Sequence, residues 1–263
     1  MAPFAFEQKK MVRYLGATGQ GQSGAQFMAS DDGIQYVVKF KENSQGIRIL
    51  TNELVANTIA CYLKLPCPQG IIAEIDSGLL EISNIEERYG RQISAGLHFG
   101  SLKIENSYRQ PPRALINQVR NKDTFPGIIL FDILTDNNNR NNQGNYIIQS
   151  GEQSGFDFYI IDHGYCFGRP NWDTSIINKI GTWNRNALKE MRDCIQGPDP
   201  FRVYIEKVKS LSNEFITEIV DGIPVEWNVS PSEREALKRF LFGQRDKIEE
   251  IINQYKNLFP GWN

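Results

Sequence analysis

Histidine is nearly absent from this chain: only His98 and His163 occur in 263 residues. A zinc centre, or a hydrolase triad built around a histidine base, has few places to form. No G-x-S-x-G elbow is present either. Cysteine is scarce too, and Cys61, Cys67, Cys166 and Cys194 show no C-x-x-C pair and no framework spacing. Such thiols in a chain of this length read as the reduced cysteines of a cytoplasmic protein. Long apolar runs are missing: the stretch 128–134 carries Asp132, and nothing approaches the ~20 apolar residues of a membrane span. The first ten residues lack the apolar stretch of a signal peptide. Excess positive charge is missing as well, with 29 Lys and Arg against 31 Asp and Glu. Without a basic field, neither a nucleic acid nor an acidic membrane surface is an expected partner.

What is present is ordinary for a globular protein, with 40% hydrophobic and 23% charged residues. Single cores tend to stop growing beyond about 250 residues, so this length favours two lobes. Residues 25–30 and 35–40 flank Asp31, Asp32 and Gly33, which is turn chemistry between two strands. Residues 48–65 carry a helical stripe of Leu50, Leu54, Thr58 and Cys61, closed by Pro66. Residues 70–83 return to strand character in IIAEI and LLEIS, and 84–110 are polar and irregular. His98 falls in this stretch, which is expected to join the lobes. Residues 114–134 are helical, with Pro126 breaking or restarting the helix. Two short apolar strands, 146–149 and 156–161, form a second hairpin. The chain is mostly helical from Thr182, and Ser230-Pro-Ser-Glu233 reads as a capping box opening the last helix. The expected class is α+β, with a β-rich N-lobe (1–105) and a mostly helical C-lobe (106–263).

Several residues in this frame carry chemistry. Residues 16–24 read GATGQGQSG, a loop whose backbone N–H groups can approach an anion closely. Gly21, Gln22 and Ser23 are its candidate phosphate contacts. The loop lacks the GK[ST] ending of a P-loop. Lys39, in YVVKF, shares a strand face with Val37, opposite Val38 and Phe40. Glu53 lies early in the following helix, where its carboxylate can hold the Lys39 ammonium. Asn145 precedes one strand of the second hairpin and Asp162 follows the other, so a tight hairpin places two oxygen ligands at one end. Magnesium takes one or two such ligands from protein and the rest from phosphates and water. In chain order these are the parts that phosphoryl transfer from ATP requires. His163 is expected to pack beside Asp162 rather than to act as an acid or base, and Cys166 to be a buried inert thiol.

The run LFDILTDNNNRNNQGNYII followed by DFYIIDHGYCFG resembles the HipA-like kinases, relatives of the phosphatidylinositol 3-/4-kinase-like group. YVVKF, NELVANTIACYLKLP, AGLHFGS and DGIPVEW occur where that family has similar pieces, and the set spans residues 36–227. The resemblance implies a bilobed protein-kinase-like fold, ATP with Mg2+, and a serine/threonine protein kinase acting on a protein substrate or regulatory partner. It assigns nucleotide contact to Lys39, the partner role to Glu53, and metal binding to Asn145 and Asp162. One departure stands out. The family pattern N-x-D-R-x-x-x-N has an aspartate before the arginine, and here Asn139 precedes Arg140. Asp136 is then the carboxylate of the loop able to serve as base, so the catalytic set is Asp136, Asn139 and Arg140. Asn139 also opens a second reading, a nucleotide-binding pseudokinase or regulatory module. A lipid kinase or nucleotidyl transferase on the same fold is a third.

Overall fold

The computed structural model describes residues 6–19, 24–151, 155–175, 177 and 188–262. Strands β1 (Gln8–Ala17), β2 (Gln26–Ser30) and β3 (Gln35–Lys39) form an antiparallel meander. The β2–β3 turn is set by Asp32, whose Oδ1 accepts the Ile34 amide at 3.2 Å, and by Gly33 at φ +82°. Helix α1 (Arg48–Tyr62) stops short of Pro66, because the chain reverses at Lys64 with φ +57°. Strand β4 (Gly70–Ile75) covers IIAEI, but LLEIS is not strand. It forms helix α2 (Ser77–Ser83), nucleated by the Asp76 carboxylate accepting the Leu79 amide at 2.8 Å. A good N-cap decides an apolar run that alternation alone leaves ambiguous.

The stretch expected to be irregular contains helix α3 (Ile85–Tyr89) and strand β5 (Gly96–Leu102). Strand β5 pairs with both β3 and β4, and β1 pairs with β4, so the order β1-β2-β3-β5-β4 closes into a barrel. Strands β6 (Ser107–Arg109), β7 (Tyr146–Ser150) and β8 (Phe156–Ile160) make a separate antiparallel sheet. Pro126 begins rather than breaks helix α4 (Phe125–Leu134), occupying its first turn, where no N–H is needed. The residues before it are short 3-10 turns. Helices α5 (Lys189–Asp193), α6 (Asp199–Lys209), α7 (Asn213–Asp221) and α8 (Pro231–Asn253) follow. The α8 capping box is formed as expected, with Ser230 and Glu233 bonding each other's backbone amides. Among the described residues no helix is long and apolar enough to cross a membrane.

The buried apolar residues group in two places. Met11, Met28, Tyr36, Val38, Phe40 and Ile71 fill the barrel. A larger cluster joins α1, α4, α6, α7, α8, β7 and β8. Helix α4 is buried along its whole length. It meets α6 so closely that a Cβ on Gly127 would lie 2.4 Å from the Tyr204 ring. Helix α1 is thus early in sequence but packs into the later cluster, a placement that brings Glu53 to the second sheet.

His98 belongs to β5 rather than to a joining segment. Its ring is buried, with Nδ1 accepting the Lys41 amide at 3.2 Å and Nε2 donating to the Ser94 carbonyl at 3.1 Å. Burial, helped by the Lys41 charge, pushes its pKa down to about 4. The native ring therefore stays neutral while the unfolded chain takes up a proton below pH ~6.5, so stability falls as pH drops from ~6.5 towards 4. The loss at pH 5 from this ring is about 2 kcal/mol relative to pH 7. NMR titration of the His98 ring carbons checks it; a midpoint near 6.5 would sink the expectation.

Candidate active site

Strand alternation sends Val38 and Phe40 into the barrel and leaves Val37 and Lys39 on the other face. That face lines a cavity of about 600 Å³, bounded also by Phe27, Phe99, residues 101–107, Ile147 and Ile161. Lys39 Nζ lies 2.8 Å from Asp162 Oδ1 and is ion-paired with Glu53. The Lys39 and Glu53 side chains are 8% and 3% exposed, whereas Asp162 is 33% exposed and faces the cavity. Burial works against the charge on Lys39, but the Asp162 and Glu53 carboxylates outweigh it and hold the ammonium charged above its ordinary range. Burial likewise works against charge on Asp162, and Lys39 reverses this, leaving that carboxyl below the usual carboxylate range. Glu53 is pushed up by burial, opposed by Lys39.

Glu53 does more than neutralise the lysine. Its second oxygen accepts the His163 amide at 3.0 Å, so α1 grips the segment after β8 directly. Asn52 completes the grip. Its Nδ2 donates to the Gly164 and Cys166 carbonyls at 2.7 and 3.0 Å, and its Oδ1 accepts from Trp172 Nε1 at 2.6 Å. One turn on, Asn57 spans the Gly70 amide and the Pro68 carbonyl. The NELVAN segment is thus a row of polar anchors. DGIPVEW is another: Arg48 on α1 donates to the Trp227 and Asn228 carbonyls, and Trp227 Nε1 to the Leu97 carbonyl.

Asn145 and Asp162 lie at one end of the β7–β8 hairpin, where the Ile161 amide donates to the Asn145 carbonyl at 3.1 Å. Asp162 itself has φ +56°, a left-handed turn that takes the chain out of the strand. The Asn145 side-chain nitrogen donates to the Asn139 carbonyl at 2.7 Å, which leaves the side-chain oxygen as the free end of the amide. Both residues line the cavity. One anionic and one neutral oxygen donor, beside a lysine able to take a phosphate, fit magnesium carried with a nucleotide, a hard cation that draws its remaining ligands from phosphates and water. No group of three or more His, Cys, Asp or Glu side chains able to hold a metal occurs among the described residues, so a metal held by protein alone has no such cage here.

The catalytic candidates separate. Asn139 lines the cavity, and Asp136 is not among the described residues that do. Asp136 lies just past the C-cap of α4, Thr135, at φ +45° with its amide on the Ile133 carbonyl. Arg140 is fully buried, far from the exposed position of a substrate contact. Its guanidinium binds Asp132 at 3.1 Å and donates to the Asn145 and Ile161 carbonyls at 2.5 and 3.0 Å. It acts on the site by holding the backbone carbonyls of Asn145 and of Ile161, the residue before Asp162. Gly21, Gln22 and Ser23 lie outside the described residues. His163 is buried with its ring edge on Phe131 and its Nδ1 3.4 Å from Arg140, and burial drives its pKa well below the ordinary value. The Cys166 thiol is buried and pushed up by that burial.

Sequence reading passed over several cavity residues. Arg109, Gln45, Asn142 and Tyr165 all line it. Arg109 reaches the Thr18 carbonyl at the base of the glycine loop at 3.3 Å. Its position within a polar stretch gave no signal, because only the β6–β7 pairing turns it towards the cavity.

A family model described as HipA-like kinase matches residues 11–258. No curated protein matches the chain. Among solved structures, the chain is similar to the proinflammatory kinase CtkA of Helicobacter pylori, with 13% identity and a TM-score of 0.56, over 95% of this chain and 96% of that one. It is also similar to the Golgi casein kinase, with 13% identity and a TM-score of 0.51, over 98% of this chain and 77% of that one. At such identities the likeness is one of fold, and the fold is kinase-like.

Proposed function

Because this chain belongs to the HipA-like kinase family, we propose that it is an ATP- and magnesium-dependent kinase acting on a serine or threonine hydroxyl of a protein. The proposal includes kinship with the phosphatidylinositol 3-/4-kinase-like group, but with a protein rather than a lipid as acceptor or regulatory partner. The observation that carries it is the buried Lys39, ion-paired with both Glu53 and Asp162 at the wall of a 600 Å³ cavity.

The apolar part of the cavity, with Phe27, Val37, Phe99 and Ile161, takes the adenine ring. Lys39 has three N–H donors. Glu53 and Asp162 use two of them, so the third is directed to a phosphate oxygen, and Glu53 keeps the ammonium in place. Asp162 and Asn145 would hold the magnesium, which would supply neutralisation of charge on the transferring phosphoryl group. Arg109 adds a cation on the loop side of the cavity. Asn139 orients the acceptor hydroxyl by its amide and cannot take the proton. Phosphoryl transfer depends chiefly on positioning and electrostatics, so this residue slows the reaction without forbidding it.

Asn139→Asp tests the reading directly. Transfer from γ-labelled ATP to a protein acceptor, or to the chain itself, is expected to rise about 10²-fold with magnesium, the usual contribution of a general base. An unchanged rate would remove the acceptor from Asn139. A second reading, nucleotide binding without turnover, rests on the same residue, since an asparagine rather than the expected acid faces the cavity. It predicts thermal stabilisation by ATP with no measurable wild-type transfer.

A further inference from the structure

The cysteines read from the sequence as isolated thiols, yet the fold brings two of them together. Past Tyr62 the chain doubles back at Lys64, with the Leu65 amide on the Ala60 carbonyl at 3.0 Å and the Cys67 amide on the Leu65 carbonyl at 2.9 Å. This turn sets Cys67 Sγ 3.5 Å from Cys61 Sγ. Cys61 is exposed and Cys67 partly buried. The two sulfurs are therefore unlike. The hydrogen bond between the two sulfurs is the main cause that lowers the pKa of Cys61 and raises that of Cys67. That is the asymmetry of an attacking and a resolving thiol. Closing a disulfide requires the sulfurs to move from 3.5 Å to about 2.05 Å.

We infer that Cys61 and Cys67 are a modification site: an accessible thiol pair that peroxides oxidise to an intramolecular disulfide. The Cys61 thiolate attacks one peroxide oxygen, the O–O bond breaks, and the departing hydroxide takes up the thiol proton as water. Cys67 then attacks the Cys61 sulfenic acid, the S–O bond breaks, and a second water leaves with the Cys67 proton. Two thiols are oxidised by two electrons as hydrogen peroxide is reduced to two waters. The bridged segment is not idle. The Pro66 carbonyl accepts the Ile160 amide of β8 at 2.9 Å, the Pro68 carbonyl accepts from Asn57 at 2.8 Å, and Pro68 lines the cavity.

The test uses the full chain treated with stoichiometric hydrogen peroxide, alkylated, and digested with trypsin without reduction. Cleavage after Lys64 separates the two cysteines. The expected product is peptide 49–64 joined to peptide 65–88, lighter by two hydrogens than the sum of the two. It should form at least about tenfold faster than any oxidation of Cys194, whose isolated thiol is pushed up by burial. In Cys67→Ser the resolving thiol is gone, so dimedone is expected to trap a sulfenic acid at Cys61. Unjoined, fully alkylated peptides alongside oxidised Cys194 would overturn the inference. So would a Cys61 in Cys67→Ser that reacts no faster than Cys194.

Discussion

Asp162→Asn is expected to lower magnesium-dependent phosphoryl transfer by about 10³-fold or more, the scale of losing a main electrostatic contact to the transferring group. The residue carries the anionic half of the proposed metal site, and its charge also holds Lys39 on the cavity side. Asparagine keeps the size and one oxygen but loses the charge that draws a divalent cation. The fold should survive. Lys39 keeps Glu53, and Glu53 keeps the His163 amide, so α1 stays in register with the segment beyond β8. Thermal stabilisation by ATP should become nearly independent of magnesium, while any stabilisation by metal-free nucleotide persists through Lys39. A variant that transfers phosphate within about threefold of wild type would remove Asp162 from the reaction.

The parts of this site that could be read in the sequence are those whose local pattern and tertiary role coincide. Lys39 interrupts an apolar strand, and Asp162 ends one; in both cases alternation dictates a face, and the structure gathers the two about one cavity. Asn52 and Asn57 gave no such signal. A polar residue on a helix is normally a solvated one, and only the carbonyls of Gly164 and Cys166, far along the chain, show why Asn52 is buried. Strand β5 was illegible for a different reason. GLHFGSL offers two glycines, a histidine and a serine where alternation should be, and the barrel imposes the extended form by pairing it on both sides. In α2 the apolar run fits either element, and the capping Asp76 is what selects the helix.

Arg140 shows how much of a residue's structural role a local motif leaves out. An arginine in an asparagine-rich loop, next to the acceptor-orienting position, reads as a catalytic charge. Its counter-ion, Asp132, is hidden inside an apolar helix eight residues earlier, where the sequence suggests only a flaw in a hydrophobic run. Burial pushes the Asp132 carboxyl up against the opposing pull of Arg140, so the pair is costly to separate. Arg140→Ala is expected to destabilise the protein by about 3–5 kcal/mol, the usual result of leaving one buried charge without its partner. The same change takes one of two donors from the Asn145 carbonyl, which keeps the Ile161 amide, and removes the Arg140 donor from the Ile161 carbonyl, so activity should fall along with stability. A structural charge pair and a catalytic arginine then diverge in the double variant. Arg140→Met with Asp132→Leu replaces both charges by apolar groups and is expected to recover at least about half of the lost stability. Urea denaturation of the three proteins measures this. If Arg140→Ala were as stable as wild type to within about 1 kcal/mol and yet inactive, the arginine would belong to the chemistry and not to the frame that holds it.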